Sequence, residues 1–488
     1  MSTAASGEGR APSTGYRFAP RPTRGLLLGL QASQLVLVAV GLAALVFGLS
    51  RGLAGALIGV VIAAACIGLV AAPVTGGGRL DLWLLLFVRQ VSRLRAQTRV
   101  GEVTAHDCLQ LPPPLDGLEL RAVALPDGGE AGVLVDKAAG RYTALLAVSG
   151  SSFTLRDADD QHRRVAGWGR ALASIGREGS PLRRIQWVTR AVPDSGNALL
   201  AHWAAAGRPD AGVAATSYQQ LIRGAGPITQ SHEVVIAACL EASRARRAIR
   251  QAGGTSAAPL VLLAELSRLA DQLAAAEVHV EGVVPPRGVA RLLRTAYDPA
   301  AQTSIDRRPV ATQGVAAIAA GPVVVEPQWD CYRSDSGWHT TYWIAEWPRL
   351  TVGPDFLAPL LLAADVRHSV SLIAEPMSAA TATRKLSSAR TAEAANASLR
   401  SRVGQLDSER NRVEADEVDR RERDLVAGHA VCRFAAFVTV TATTREALID
   451  ACGRIEHAAT SAHLELHLLY GQQDRAFVRT LPLAYPPC

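Results

Sequence analysis

Two long apolar runs without a charged residue constrain this fold more than any other feature of the sequence. They cover residues 25–49 and 52–72. Each run has the ~20 apolar residues that are needed to cross the core of a lipid bilayer. Only Ser50 and Arg51 separate them, so two helices are predicted to turn back on each other. The sequence therefore predicts a transmembrane helical hairpin over residues 25–72.

The arginines that flank this hairpin predict its orientation. Four precede the first run and five follow the second, against Arg51 alone in the turn: Arg10, Arg17, Arg21, Arg24, Arg79, Arg89, Arg93, Arg95 and Arg99. By the positive-inside rule, both termini are predicted to be cytoplasmic in a multi-pass protein of the inner (plasma) membrane, with residues 1–24 as a cytoplasmic tail. A cleaved signal peptide is the disfavoured alternative. Residues 80–100, apolar first and arginine-rich afterwards, are predicted to form an interfacial amphipathic helix.

Composition fits a membrane anchor that carries a water-soluble body. The 488 residues are 49% hydrophobic and 19% charged, and the mean hydropathy is +0.14. The net charge of +7 is spread along the chain, whereas nucleic-acid binding is typical of clustered basic residues.

The seven cysteines are scattered and form no C-x-x-C pair, which favours a reducing compartment. Arginine greatly outnumbers lysine, which indicates a high-GC bacterial genome.

Beyond a stiff run of three prolines, residues 115–298 are predicted to form a first α+β lobe. Short runs of β-forming residues and stretches of helical periodicity predict its elements. The predicted strands are 118–125, 131–136, 141–149 and 184–189, and the predicted helices are 157–175, 218–250 and 259–276.

A Gly/Pro/Ala-rich linker at 299–322 precedes a second predicted α+β lobe over residues 323–488. Residues 378–426 are highly charged with a sparse apolar stripe, which predicts a projecting helical hairpin. The lobe is predicted to end with a strand, a helix and a strand at 432–441, 445–459 and 464–470. The predicted fold class is thus α+β: an N-terminal two-helix transmembrane hairpin followed by a two-lobed cytoplasmic body with a projecting helical hairpin.

Four of the eight tryptophans lie within residues 329–347, namely Trp329, Trp338, Trp343 and Trp347. An aromatic cluster of this kind can stack nucleotides. The alternation of polar and apolar residues in this segment is instead typical of a half-buried strand. Packing is the favoured interpretation, and whether the cluster belongs to a core or to an interface stays open.

The sequence predicts no catalytic, cofactor-binding or metal-binding residue and no enzymatic activity. A nucleotide-driven motor needs G-x-x-x-x-G-K-[ST], but neither Lys137 nor Lys385 follows a glycine. His463, Glu465 and His467 alternate along a predicted strand with His457 nearby, which is a conceivable set of metal ligands. A solvated strand face explains the same pattern and is favoured.

Residues 131–203, with RLLRTAYDP and TYWIAEWPRL further on, resemble the non-motor N-terminal region of conjugative type IV secretion ATPases. The likeness covers most of residues 115–480. Ahead of it, YRFAPRPTRGLLLGL and the hairpin resemble the PrgI-like two-helix anchor of the same systems. That family continues into a RecA-like motor, whereas this chain reaches Cys488 without one. The resemblance implies an actinobacterial, non-catalytic membrane subunit that docks a separate P-loop ATPase.

The close rival is a resemblance to EccE of type VII secretion, which has the same plan of two N-terminal spans and an α/β body. Either resemblance implies other secretion membrane subunits as partners in an oligomeric assembly. A membrane-tethered nucleic-acid-binding protein is the alternative from another class, supported by the charge of +7 and the tryptophan cluster. The sequence does not choose between the two secretion types.

Overall fold

The computed structural model describes the following residues: 16, 18, 32–71, 109–150, 153–193, 203–204, 206–207, 212–225, 230–308, 314–402, 419–420, 422–423 and 431–486. The strands are β1 Leu118–Ala124, β2 Glu130–Asp136, β3 Arg141–Ser149, β4 Leu182–Pro193, β5 Gln230–Glu241, β6 His279–Val283, β7 Val325–Pro327, β8 Tyr332–Ser334, β9 Gly337–Glu346, β10 Arg367–Met377, β11 Val431–Ala442 and β12 Glu465–Leu468.

The helices alternate with these strands along the chain. They are α1 Ala32–Leu49, α2 Leu53–Ala71, α3 Ala158–Ile175, α4 Val213–Ala225, α5 Arg246–Gln251, α6 Ala258–Ala275, α7 Pro286–Tyr297, α8 Ala301–Asp306, α9 Ala358–Leu361, α10 Ala379–Arg402, α11 Arg445–Ser461 and α12 Gln473–Val478. Short 3-10 turns lie at Phe153–Leu155, Thr255–Ala257 and Ala317–Ala319.

All twelve strands belong to one antiparallel sheet that has the same strand order in each half. The order is β1-β2-β3-β5-β4-β10-β11-β9-β8-β7, with β6 paired to β3 and β12 paired to β9. Strands β1 to β6 therefore have the arrangement that β7 to β12 repeat. Strands β4 and β10 hold the same place in the two halves, and they pair with each other. We call this β4–β10 contact the seam.

The two halves also share the turn that leads into their last strand. Glu277 after α6 and His463 after α11 both have positive φ, at 58° and 56°. In each turn the next residue donates back to the helix: the Val278 N–H to the Leu273 carbonyl at 3.0 Å, and its counterpart after α11 at 2.9 Å. This pattern is the Schellman motif, in which a residue in left-handed conformation ends a helix.

The sheet is covered on both faces because its central strands are apolar on both sides. Face 1 carries α3 and α6 over the first half and α11 over the second, packed on buried sheet residues such as Leu146 and Val438. Face 2 carries α7 and the C-terminal segment, residues 473–485, with Leu293 and Phe477 in its core. The C-terminal segment crosses the seam, so it contacts both halves of the sheet.

The prediction of a transmembrane hairpin over residues 25–72 is wrong. Among the residues that the structure describes, no helix is both long and apolar enough to cross a membrane. The described helices α1 Ala32–Leu49 and α2 Leu53–Ala71 have 18 and 19 residues. They pack closely on each other, since a Cβ at Gly59 would lie 2.7 Å from the Ala44 carbonyl oxygen. The predicted multi-pass localisation loses its support with these spans.

The prediction of a two-lobed body is also wrong, because the strands of both predicted lobes join in one sheet at the seam.

The predicted helix at 218–250 is wrong for its central part, which is strand β5. Residues 235–240 are buried between β3 and β4, and an apolar run that is covered on both faces suits a central strand. The predicted strands at 118–149 and the closing strand, helix and strand match β1–β3, β11, α11 and β12.

Several predictions lie partly or wholly outside the described residues. The predicted interfacial helix at 80–100 is one, and only Tyr16 and Phe18 of the predicted tail are described. Of the predicted hairpin at 378–426, α10 and four residues near 420 are described. Arg390 of α10 pairs with Glu422 at 2.6 Å, so the described part of the chain does return along α10.

Candidate functional site

A groove opens on face 2 where β3, β5, β6 and α7 meet. Strand β6 continues along β3 from the point where β2 ends, since β2 pairs with residues 141–144 and β6 with residues 146–149. The groove is lined by apolar and charged side chains together: Val235, Glu233, Glu281, Arg291 and Leu292. We call this the α7 groove.

Local sequence explains why the backbone opens here. The register between β3 and β6 shifts next to Ala147, and Gly282 of β6 has a φ of 143°, which favours glycine. Pro285 and Pro286 then start α7, where a missing N–H costs nothing. The helix lies close to β2, because a Cβ at Gly132 would be 2.7 Å from Val289. These features fix α7 as one wall of the groove.

A charge cluster forms the floor of the α7 groove. The Arg291 Nη2 lies 2.7 Å from the Glu233 Oε1, and the Arg190 Nη1 lies 3.3 Å from its Oε2. The Arg190 Nη1 also donates to the Thr295 Oγ1 at 3.0 Å and to the Leu292 carbonyl at 3.3 Å. We call Arg190, Glu233 and Arg291 the Glu233 cluster. It links β4, β5 and α7.

The arginines keep the Glu233 carboxylate ionised. Burial alone would raise the pKa of Glu233, but the positive charges of Arg190 and Arg291 outweigh it and the pKa is lowered. Burial, opposed by Glu233, lowers the pKa of Arg190. A carboxylate held in this way is a fixed charge rather than a proton acceptor at neutral pH. Fixed charges beside apolar side chains are typical of a binding surface.

The histidines that the sequence singled out as conceivable metal ligands are not brought together as a site. The His467 Nε2 lies 2.8 Å from the Glu465 Oε1, while His463 lies in the turn before β12. Within the described ranges, no group of three or more His, Cys, Asp or Glu residues could hold a metal ion. The strand pattern therefore corresponds to a partly solvated strand.

The four tryptophans of residues 329–347 have separate surroundings and do not form a single stacking platform. Trp329 stacks on Tyr470, and Trp343 meets His467 edge-on. The Arg333 guanidinium lies over the Trp338 ring. Trp347 contacts Phe18, Phe356 and Phe434. All four side chains are half-buried, so packing accounts for the cluster.

Sequence reasoning missed the Glu233 cluster. Its members come from β4, β5 and α7, which lie far apart in the sequence and meet only through strand pairing. The sequence contained one indication of the cluster, the polar pair His232 and Glu233 just before an apolar run. Because that run was predicted to be helical, the pair was not recognised as part of a site.

A sequence model of one family, described as "Putative type VII ESX secretion system translocon, EccE", matches residues 228–344 of this chain. The matched segment is about a quarter of the chain, and it begins just before β5 and ends within β9. No curated protein matches the chain. The match supports the predicted resemblance to EccE, and none of these comparisons supports the one to type IV secretion ATPases.

Proposed function

We propose that this protein is a component of the membrane complex of a type VII secretion system, related to EccE. The observation that carries the proposal is the family match over residues 228–344. That segment includes strands of both halves of the sheet and three of the four elements around the α7 groove. The similarity to EccE therefore covers most of the candidate site, although it does not include the two strands of the seam.

The proposed role is to bind other subunits rather than to catalyse a reaction. The α7 groove supports this role because it combines the carboxyl groups of Glu233 and the exposed Glu281 with the apolar side chains of Val235 and Leu292. Interfaces between protein subunits have this mixture of polar and apolar groups.

A secretion assay tests the proposal in the native host. The gene is deleted, and proteins exported by the type VII pathway are measured in the culture filtrate. We expect export to be lost and to be restored by the wild-type gene. Unchanged export in the deletion strain would contradict the proposed function.

Two charge reversals test the groove within the same assay. Glu281→Arg changes an exposed carboxylate in the α7 groove, and Glu178→Arg makes the same change on an exposed residue outside it. If the groove binds a partner, Glu281→Arg should weaken that binding by about tenfold, equivalent to ~1.4 kcal/mol, and thereby reduce export, while Glu178→Arg should act like wild type. Equal export by both variants would exclude the groove as the docking surface without affecting the test by deletion.

A further inference from the structure

A second, more enclosed pocket lies on face 2 at the seam, on the other side of Arg190 from the α7 groove. Its polar lining comes from β4, β10, β11 and α7: Arg190, Arg367, Ser369, Thr295 and Thr441. Strand register places these side chains together, because Arg190 is paired with Ser369 and Arg367 with Thr441. Pro482 of the C-terminal segment lies at its border. We call this the seam pocket.

Positive charge exceeds negative charge around the seam pocket. Arg190, Arg291 and Arg367 supply three guanidinium groups, whereas Glu233 and Asp306 supply two carboxylates that act on them. Arg190 is only 5% exposed. Glu233 is already shared between Arg190 and Arg291, and buried cations that outnumber their counterions are costly, since they have lost their hydration. One further negative charge would balance the set.

The seam pocket also offers an uncommitted hydroxyl group. Thr295 already donates to the Arg291 carbonyl at 2.9 Å, and Thr441 is hydrogen-bonded to His339 at 2.9 Å. The Ser369 hydroxyl makes no hydrogen bond to any other residue that the structure describes, although it faces the pocket between the two arginines. It is therefore free to donate to a bound molecule.

We propose that the seam pocket binds a small oxyanion between Arg190 and Arg367, with the Ser369 hydroxyl as an additional donor. Guanidinium groups bind the oxygens of phosphate and carboxylate in a planar, often bidentate arrangement. The Arg367 Nη1 donates to the Gln302 Oε1 at 3.0 Å, which fixes one end of its guanidinium group. The side chain is thus held in place before an anion enters.

The electrostatics of Arg367 agree with this geometry. Burial and the neighbouring charge of Arg190 lower the pKa of Arg367 to about 10. The side chain still carries its positive charge at pH 7, three units below that pKa. A bound anion would oppose both effects, so binding and a charged Arg367 favour each other.

The test is equilibrium dialysis of the full-length protein with radiolabelled inorganic phosphate, at an ionic strength held constant with sodium chloride. We expect saturable binding of one phosphate per chain. Arg367→Gln should weaken binding at least tenfold, and Ser369→Ala should weaken it several-fold. Arg384→Gln removes the same charge from an exposed position on α10, and it should bind phosphate like wild type.

Competition with acetate identifies the kind of oxyanion. Displacement of phosphate by millimolar acetate would support the proposal with a carboxylate as occupant, and no displacement would support it with a phosphate group. The absence of saturable phosphate binding, or equal binding by wild type and Arg367→Gln, would overturn it. Circular dichroism without phosphate verifies that each variant folds. If Arg367→Gln does not fold, Ser369→Ala provides the test instead. Equal phosphate binding by wild type and Ser369→Ala then overturns the proposal.

Discussion

Gln186 and Ser371 are joined across the seam, where the Gln186 Nε2 donates to the Ser371 Oγ at 2.8 Å. The same nitrogen lies 2.9 Å from the carbonyl oxygens of Arg479 and Leu481, and the Gln186 Oε1 accepts from the Ala484 N–H at 2.6 Å. Gln186 and Ser371 are both fully buried. One side chain thus connects the two halves of the sheet to the C-terminal segment.

Replacing Gln186 by alanine should destabilise the protein strongly. The change leaves buried partners without a hydrogen bond, at a cost of ~1–3 kcal/mol for each group that stays unpaired. We expect a loss of about 3 kcal/mol in the free energy of unfolding, measured with urea. Gln220→Ala on the exposed side of α4 is the control, with an expected change within about 0.5 kcal/mol. Similar small losses for both variants would contradict the role of Gln186.

Glu375 should make the fold sensitive to acid. Its carboxylate lies 2.8 Å from Arg184 and 2.8 Å from Arg433, and its side chain is 3% exposed. Burial alone would raise the pKa of Glu375, but hydrogen bonding and charge from the arginines lower it. A lowered pKa in the folded state stabilises the protein above the unfolded value of about 4.3, and this stability is lost as the pH falls below it.

Glu375→Gln tests this relationship. Removing one partner of a buried ion pair costs about 3 kcal/mol at pH 7. The variant should also lose less stability than wild type between pH 5 and pH 3, as measured by urea unfolding at each pH. Glu233 contributes in the same direction, so the dependence on pH should shrink rather than vanish. Parallel curves for variant and wild type would show that Glu375 does not contribute.

His339 should stay neutral in the folded protein. It is buried between the hydroxyl groups of Ser334 and Thr441, at 2.9 Å from each, and burial lowers its pKa to about 3. The unfolded state takes up a proton near pH 6.5 and the folded state does not. Stability should therefore fall as the pH drops below about 6.5.

His339→Asn should reduce this dependence between pH 7.5 and pH 5. His368, also buried with a lowered pKa, contributes in the same window, so part of the dependence should remain. Thermal unfolding across this pH range provides the measurement. If wild type and variant lose the same stability over the window, His339 is not held neutral by the fold.

The parts of the fold that local patterns determine could be predicted from the sequence. Strands β1 to β3 show runs of β-forming residues with glycine turns between them, and helix α3 begins with an acidic turn capped by Asp157. Strand β5 could not be recognised, because its Ala-rich and apolar run suits a helix equally well. Only its position between β3 and β4 decides the matter.

The candidate sites depend on contacts that no local pattern contains. Arg190, Glu233 and Arg291 meet because β4 pairs with β5 and α7 packs on β2. Arg367 joins them only through the seam. The common strand order of the two halves was equally invisible, since β1 to β3 and β7 to β9 have different lengths and residues.

Phe18 should stabilise the second half of the sheet. Its ring lies 5.0 Å from the ring of Trp347 and 5.3 Å from that of Phe356, and the neighbouring Tyr16 exchanges two backbone hydrogen bonds with Val352 at 2.9 Å. Phe18→Ala should cost about 1–2 kcal/mol, because the residue is half-buried and makes two aromatic contacts. Urea unfolding measures the loss, while Phe18→Leu should retain most of the stability. If Phe18→Ala is as stable as wild type, the ring contacts contribute nothing.

Membership of a type VII secretion complex is the central claim, and co-purification tests it most directly. A tagged full-length chain is isolated from gently solubilised membranes of the native host, and the recovered proteins are quantified by mass spectrometry against an untagged strain. We predict that other subunits of the type VII membrane complex are enriched together with the tagged chain. Recovery of the chain without them, or with subunits of a type IV conjugation system in their place, would contradict the claim.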